Sequence, residues 1–204
     1  MFSKLEETII ALPRAINDQR KIVLFPLVNY IDTQLTNKAP IRLNFICTHN
    51  SRRSHLAQIW AQTMASFFRI NNIACYSGGT EATSIYKSVR LTLVQQGFEL
   101  EKISEGHNPI YSIKYGAVDQ PLIAFSKRFD HPFNPSSNFA AIMTCSSADE
   151  ACPVVLGAQK RIAIRYEDPK VFDNTPNEQE KYLERSKEIA QEMYWVFSQI
   201  ENKG

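Results

Sequence analysis

The stretch CTHNSRRS, residues 47–54, places a thiol and a guanidinium six residues apart, with mostly polar side chains between them. Cys47 follows a short apolar run, and its thiolate could attack an electrophilic centre. Arg53 could bind two oxygens of a tetrahedral oxyanion with its planar guanidinium. Ser54 could hydrogen-bond the thiolate, and Asn50 tolerates the left-handed backbone of a tight loop. These residue types at this spacing predict nucleophilic chemistry on an oxyanion.

The backbone of this loop favours the same chemistry, because it connects an apolar strand to an amphipathic helix. The N–H groups at a helix N-terminus lack partners within the helix, and with the helix dipole they form an anion-binding site. A cysteine at the base of the loop lies in the same field, which favours its thiolate. A buried cysteine followed by an ordinary polar loop is the alternative. We expect these residues to bind the oxyanion: Thr48, His49, Asn50, Ser51, Arg52, Arg53 and Ser54.

A carboxylate later in the chain could complete this chemistry. The segment YEDPKVF contains Asp168, which follows the apolar run 161–166 and precedes a proline. Transfer at an oxyanion needs an acid that protonates the leaving oxygen, and a mobile loop could present Asp168 for that role. An Asp-Pro pair is also a common turn, so a purely structural role is the alternative.

The four cysteines favour catalytic or redox roles over a scaffold of disulfides or metal. Four are too few to hold a chain of 204 residues together through disulfides. The chain has no C-x2-C pair and its four histidines show no ligand spacing, so we predict no metal site. Cys75 lies within a predicted strand, where simple burial is expected. Cys145 and Cys152 are either structural thiols or a redox pair.

Composition and charge indicate one globular α/β domain with room for an appendage. Hydrophobic residues make up 44% of the chain, and its net charge of +2 provides no global basic field of the kind that nucleic-acid binders show. No apolar run approaches the roughly 20 residues that span a bilayer. The N-terminus, MFSKLEETII, carries acidic residues early and does not resemble a signal peptide. We therefore expect a cytoplasmic protein with no membrane or nucleic-acid partner.

Apolar strands alternate with amphipathic helices along most of the chain. This alternation predicts an α/β fold with a parallel sheet flanked by helices. Such sheets bind ligands at the carboxyl ends of their strands, so Cys47, Cys145 and Asp168 should converge at one edge. The strands are predicted at 41–47, 73–77, 139–145 and 161–166, and the helices at 54–69, 85–97 and 177–201.

Two regions lie outside this alternation. Residues 1–40 should form an N-terminal helical extension, whose second helix, at about 16–36, should be kinked or split by Pro26. Residues 108–116 and 120–127 indicate a hairpin or irregular strand-like pieces.

The loop CTHNSRRS resembles the phosphate-binding loop of the low-molecular-weight protein tyrosine phosphatases. It equally resembles that of the thioredoxin-coupled arsenate reductases built on the same fold. The resemblance leaves out residues 1–40. It implies a three-layer, four-stranded phosphatase-like catalytic domain at 41–204, with an insertion at about 108–138.

The resemblance implies the roles of three residues and leaves the reaction open. In both families Cys47 would be the nucleophile, Arg53 the oxyanion clamp and Asp168 the general acid. Phosphatases of this size usually continue the Asp-Pro pair with a tyrosine, whereas Lys170 follows here. This departure weakens the interpretation as a phosphatase of protein substrates.

The segment TCSSADEACPVV, residues 144–155, resembles the arsenate-reductase segment that carries two resolving cysteines. The resemblance implies that Cys47 forms a thiol-arsenate adduct and that Cys145 attacks Cys47 and releases arsenite. Cys152 would then move the disulfide to Cys145–Cys152, which thioredoxin would reduce, and no bound cofactor is implied. The matching residues are Cys145, Ser146, Ala148, Asp149, Cys152 and Pro153.

Two other functions stay open. A low-molecular-weight protein tyrosine phosphatase would hydrolyse phosphate monoesters through a phosphocysteine at Cys47. An oxyanion-binding module without turnover is a third class, which the presence of Cys47, Arg53 and Asp168 disfavours.

Three positions depart from the family patterns. His49 replaces a usual glycine. Arg52 stands where a second cysteine is common; it could strengthen anion binding, although such an arginine more often points to solvent. Gln58 replaces a glutamate that helps hold a potassium ion in some of these reductases, so we do not expect that site.

The spacing of the two resolving cysteines has a mechanical consequence. SSADEA favours a helix start, and cysteines seven residues apart on a helix lie roughly 10 Å apart along its axis. A disulfide needs Cα atoms within about 7 Å of each other. The relay therefore predicts that this segment unwinds during turnover.

Overall fold

The computed structural model describes residues 1–152 and 154–200. Its strands are β1 (Ile41–Cys47), β2 (Ile73–Gly79), β3 (Glu99–Lys102), β4 (Tyr111–Lys114), β5 (Leu122–Ala124), β6 (Phe139–Met143) and β7 (Ala158–Ala163). Its α-helices are α1 (Ser3–Ile10), α2 (Asp18–Thr36), α3 (Arg53–Phe67), α4 (Lys87–Gln95), α5 (Ser146–Ala151) and α6 (Glu178–Ser198). A 3-10 helix spans Pro169–Phe172.

The main sheet has four parallel strands in the order β2-β1-β6-β7. The predicted four-stranded parallel sheet flanked by helices is therefore confirmed. Strand β1 is central, and six of its seven positions are buried. A strand covered on both faces needs an almost continuous apolar run, and IRLNFIC comes close to one.

The two faces of this sheet bury different clusters, because successive side chains of a strand point to opposite faces. Leu43 and Phe45 face the larger core, which includes Trp60 of α3 and much of α6. Ile46 belongs to a smaller cluster, which also contains Cys47, Cys145 and Ala148 of α5. The sheet is therefore the middle of three layers, and the predicted reactive thiols lie on its more thinly covered side.

The N-terminal helices pack into the larger core. Leu5 and Ile9 of α1 and Leu27 and Ile31 of α2 are fully buried there. The segment at 16–36 was expected to kink or split at Pro26; it does not split, since α2 runs through Pro26 as one helix. Burial of its apolar face offsets the roughly 3 kcal/mol that an internal proline costs a helix.

A second sheet lies between the second and third strands of the main sheet in chain order. It is antiparallel, in the order β3-β4-β5. The pairing of β4 with β5 confirms the predicted hairpin. The sequence did not indicate β3, because three of the four residues in ELEK are charged and its pattern lacks an apolar face.

Several element ends differ from the predictions. The predicted strand 139–145 stops at Met143, which leaves Cys145 as the first flanking residue of α5. The fourth strand begins three residues earlier than expected, at Ala158. Residue 201 of the predicted last helix and Pro153 of the matched cysteine segment lie outside the described residues. Within the described ranges, no helix combines the length and apolarity needed to cross a membrane.

Candidate active site

The nucleophile candidate, Cys47, lies at the carboxyl end of β1 and is almost completely buried. Its Sγ lies 3.0 Å from the Ser54 hydroxyl. Asn50 Nδ2 donates to that same hydroxyl oxygen at 2.9 Å. Because the oxygen already accepts from Asn50, its single proton is free to point at sulfur. The arrangement therefore lets Ser54 donate a hydrogen bond to the Cys47 sulfur.

Hydrogen bonds to residues far along the chain hold the backbone of the loop in shape. Asn50 adopts a left-handed conformation, with φ of 44°, as its residue type allows. Its Oδ1 accepts a 2.8 Å hydrogen bond from the Lys127 backbone N–H. Ser126 Oγ donates to the His49 carbonyl at 3.0 Å. A Cβ at Gly79 would lie 2.6 Å from the Thr48 carbonyl, so only glycine fits where β2 passes the loop.

These contacts give Ser126 and Lys127 a supporting role that the sequence did not reveal. Both lie within the region expected to be an insertion, about 77 residues from the loop in sequence. The sequence around these two residues does not indicate the contacts, because one hydrogen bond comes from a backbone N–H and the other ends on a backbone carbonyl. The region expected to be an insertion therefore contacts and supports the loop.

Arg53 and Asp168 meet at the edge of the loop. Arg53 Nη2 donates to Asp168 Oδ2 at 2.5 Å, and Nη1 donates to the Tyr166 carbonyl at 3.1 Å. The Arg53 Nε–H is buried without a hydrogen-bond partner in the described part of the chain. A buried donor without a partner is costly, and an oxyanion in the loop would be a suitable acceptor.

Asp168 serves as both a turn residue and a candidate acid. Its Oδ1 caps the 3-10 helix by accepting from the Lys170 N–H at 3.1 Å, while Oδ2 faces Arg53. The structural and the catalytic interpretations are therefore compatible. Asp168 also lines an open cleft of about 450 Å³, together with Glu167, Val171, Phe172, Lys181, Glu184, Arg185 and Glu188.

Cys145 lies beside the anion loop. It is buried, and its Sγ lies 3.5 Å from Thr48 Oγ1. It also caps α5, because its sulfur accepts from the Ala148 N–H at 3.4 Å. Cys145 and Cys47 share one buried cluster, so the structure brings together the first two predicted thiols of the relay.

Cys152 lies at the other end of α5 and is partly exposed. Burial raises the pKa of its thiol, an effect that the nearby Arg161 and Arg128 oppose. The helix between the cysteines is tied down by one carboxylate, since Asp149 forms ion pairs with both Arg161 and Arg165. Arg161 also donates to the Cys152 carbonyl at 3.0 Å. All four cysteines are free thiols in this structure.

The other predicted loop residues differ in where their side chains lie. His49 is half-buried, with Nε2 3.7 Å from Glu81. Ser51 is buried, and its carbonyl accepts from the Tyr86 N–H. The side chain of Arg52 was expected to point to solvent more often than not, but it is buried against Asp173 and Tyr182. The positive charge of its guanidinium is therefore already paired with the Asp173 carboxylate.

Four other side chains are buried: Gln58, Cys75, Lys127 and His55. Gln58 donates to the Cys75 carbonyl. The described residues contain no cluster of three or more histidine, cysteine, aspartate or glutamate side chains that could hold a metal ion. Burial raises the pKa of Cys75 well above its ordinary value, as expected for a structural thiol. Lys127 is fully buried with a single carbonyl acceptor, and burial lowers its pKa to about 8. Burial, with help from Lys127, lowers the pKa of His55 to about 3.

Sequence comparison finds no counterpart for this chain, since no family model and no curated protein match it. Solved structures do match its fold. An arsenate reductase from Archaeoglobus fulgidus superimposes with a TM-score of 0.50 at 18% identity, over 77% of this chain and 99% of that one. A low-molecular-weight protein tyrosine phosphatase from T. tengcongensis gives 0.52 at 16% identity, over 78% and 98%. The chain has the low-molecular-weight phosphatase fold.

This fold is shared by proteins named for different reactions. A third match is the arginine phosphatase YwlE, with a TM-score of 0.52 at 11% identity over 78% of this chain and 95% of that one. At such identities the likeness shows the fold alone. The reaction of the present chain has to be argued from its own site residues.

Proposed function

We propose that this protein reduces arsenate to arsenite with its own thiols, and that an external dithiol protein of the thioredoxin class restores them. One observation carries the proposal. The Cys145 sulfur lies 3.5 Å from Thr48 Oγ1, so a second thiol adjoins the loop that begins at Cys47. Phosphate-ester hydrolysis needs no second thiol there. Cys152, at the far end of α5, supplies a third.

The first step would take place in the anion loop. Arsenate would be held by the loop N–H groups and by Arg53, and the Cys47 thiolate would attack arsenic. A sulfur–arsenic bond forms and one arsenic–oxygen bond breaks. Asp168 would protonate the leaving oxygen, which departs as water.

The second step would transfer two electrons to arsenic. The Cys145 thiolate attacks the Cys47 sulfur, and the pair of electrons in the sulfur–arsenic bond stays on arsenic, which leaves as arsenite. Cys152 then attacks the Cys145 sulfur and frees the Cys47 thiolate. The external dithiol returns two electrons to the Cys145–Cys152 disulfide. Such a cycle requires a compartment that keeps thiols reduced, such as the cytoplasm.

Formation of the Cys145–Cys152 disulfide requires α5 to open. The two cysteines flank a six-residue helix, and a residue separation of seven corresponds to roughly 10 Å along a helix axis. A disulfide needs Cα atoms within about 7 Å of each other. Residues 146–152 should therefore lose amide protection in the oxidised protein, and unchanged hydrogen exchange there would argue against the relay.

Hydrolysis of phosphate monoesters through a phosphocysteine at Cys47 is the second candidate. The Arg53–Asp168 pair would serve it equally well. The cleft of about 450 Å³ beside Asp168 could hold the leaving group of an ester. This reaction uses neither Cys145 nor Cys152.

One pair of assays separates the candidates. Arsenite production is measured with thioredoxin, thioredoxin reductase and NADPH, beside hydrolysis of an aryl phosphate. The variants are Cys152→Ala and, as a matched control, Cys75→Ala, which removes a buried thiol outside the relay. We expect Cys152→Ala to abolish repeated arsenate turnover and to keep the aryl phosphatase activity, whereas Cys75→Ala keeps both.

The opposite pattern would overturn the proposal. If wild type hydrolyses aryl phosphate, does not turn over arsenate, and is indifferent to loss of Cys152, the protein is a phosphatase. Weak aryl phosphatase activity alone supports neither candidate over the other, because both use the same nucleophile, clamp and acid.

A further inference from the structure

Two adjacent arginines of the anion loop hold the two ends of one short helix. Arg53 pairs with Asp168, the residue that begins the 3-10 helix Pro169–Phe172, at 2.5 Å. Arg52 pairs with Asp173, the residue that ends it, also at 2.5 Å. The helix that follows the candidate acid is thus fastened to the loop at both ends.

The contacts of Arg52 form a closed ring of hydrogen bonds. Its Nη2 donates to Asp173 Oδ2, and its Nε donates to the Tyr182 hydroxyl at 2.5 Å. The Tyr182 hydroxyl in turn donates to Asp173 Oδ1 at 2.6 Å. Every donor in the ring has its own acceptor, so the carboxylate, the phenol and the guanidinium fix one another in place.

Packing around the ring makes Arg52 part of the protein interior. Its guanidinium lies 4.2 Å from the centre of the Tyr86 ring, which stacks on Tyr182 at 5.4 Å. Its side chain is only 10% exposed. Burial disfavours its charge, but Tyr182 and Asp173 outweigh burial and raise the pKa of Arg52. A guanidinium bound in this way is held in place by Asp173 and Tyr182.

We propose that Arg52 is a positioning residue for the general acid. Through Asp173 it holds the 3-10 helix against the anion loop, which keeps the Asp168 carboxyl beside Arg53 and the leaving oxygen. The inference rests on the acid role of Asp168 under the proposed function, a role that both candidate reactions share. Arg52 then acts on proton donation through Asp168, and oxyanion binding does not depend on its charge.

Leaving-group dependence tests this role. Protonation matters when the leaving group is a poor one and matters little when it is a good one. In Arg52→Gln we expect kcat/KM, which covers the step that releases the leaving group, to fall about 30-fold on phenyl phosphate and no more than about 3-fold on dinitrophenyl phosphate, a fraction of the ~10²–10⁴ that acid catalysis supplies. The inhibition constants of inorganic phosphate and arsenate should change less than about 3-fold.

Two further variants keep the test decisive. Tyr182→Phe removes the two hydrogen bonds that the Tyr182 hydroxyl makes in the ring and keeps the ion pair between Arg52 and Asp173. It should show the same selective loss at smaller size, about 3- to 5-fold on phenyl phosphate. Asp168→Asn removes the acid itself, so it should give the largest loss on phenyl phosphate relative to dinitrophenyl phosphate. The losses in the other two variants are compared with this one. If Asp168→Asn is not selective for the poor leaving group, the acid role fails, and the positioning role fails with it.

Hydrogen exchange provides a readout that needs no turnover. The Lys170 N–H binds Asp168, and the Asp173 N–H binds the Lys170 carbonyl, so both amides report on the 3-10 helix. In Arg52→Gln their exchange should quicken at least tenfold while exchange in β1 is unchanged. Unchanged exchange would overturn the proposal, as would an equal loss of kcat/KM on both esters with weakened phosphate inhibition. The reductase assays then judge the proposed function separately.

Discussion

The anion loop and the segment from Cys145 to Cys152 follow neighbouring strands at the same edge of the sheet, yet they are built differently. The loop is buried and held by hydrogen bonds to the main chain of another region, through Asn50 and the backbone of Lys127. The cysteine segment is a six-residue helix held by ion pairs from Asp149 to two partly exposed arginines. One region suits a fixed anion site, and the other suits a segment that opens.

This difference matches what each part of the proposed relay must do. A nucleophile and its oxyanion donors work best in fixed geometry, because reorganisation during the reaction raises the barrier. A resolving thiol has to travel from its resting place to its target. Beyond Cys152, Val154 and Leu156 are 73% and 86% exposed, whereas Val155 between them is buried.

The largest effect should come from loss of the Asn50 side chain. Asn50→Ala removes both its hydrogen bonds, to Ser54 and to the Lys127 N–H, and leaves alanine in a left-handed conformation. We expect kcat/KM for an aryl phosphate to fall about 100-fold, the effect of roughly 2.7 kcal/mol.

Asn138→Ala is the matched control for that change. Asn138 has a similar φ of 55°, but it is exposed and lies away from the loop. The control should share the backbone strain and keep its activity within about 2-fold. Equal losses in the two variants would show that strain, rather than support of Ser54 and Cys47, explains the effect.

A smaller effect, on the free energy of unfolding, should reveal what it costs to bury the Lys127 side chain. Its ammonium is buried with one carbonyl acceptor, and its pKa is lowered to about 8. Lys127→Met removes the cost of burying the ammonium together with one hydrogen bond and the cation–π contacts with the Phe125 and Phe133 rings. At pH 7 the free energy of unfolding should rise by about 1 kcal/mol, because roughly 3 kcal/mol of burial cost is relieved and roughly 2 kcal/mol of contacts is lost.

The sign of the pH dependence follows from which state binds the proton. Between pH 8 and the ordinary lysine pKa, the unfolded chain keeps the proton and the folded chain releases it, so wild type gains stability as pH rises. The advantage of Lys127→Met should therefore shrink over that window. His55 stays neutral there, since its pKa is about 3. An exposed control, Lys187→Met, should show no such trend, and a constant advantage would contradict the assignment.

Local patterns were sufficient to predict the parallel sheet. Strand β1 was predicted at its observed ends, because a continuous apolar run bounded by a linker and a polar loop carries its own signal. Cys47 and Arg53 lie within one loop, so their proximity needs no tertiary information. The predicted approach of Cys145 and Asp168 to the same edge depended only on the direction of parallel strands.

Long-range support could not be predicted in the same way. Asn50 meets the backbone of Lys127, and a backbone N–H has no residue-type signature. Arg52 looked like a solvated charge because its partners, Asp173 and Tyr182, lie more than 100 residues away. Strand β3 was missed because a short, charged strand has no apolar alternation.

The ion pairs that hold α5 allow a last test, with a small expected effect, of the difference between the anion loop and the cysteine segment. Asp149 is only 5% exposed but its partners, Arg161 and Arg165, are 30% and 52% exposed, so the ion pairs contribute about 1 kcal/mol after solvent screening. Asp149→Asn should speed amide exchange in α5 of the reduced protein about 5- to 10-fold. Glu150→Gln, the exposed neighbour, should not. Equal exchange in both variants would mean that packing holds α5, and that its opening needs a trigger other than loss of these ion pairs.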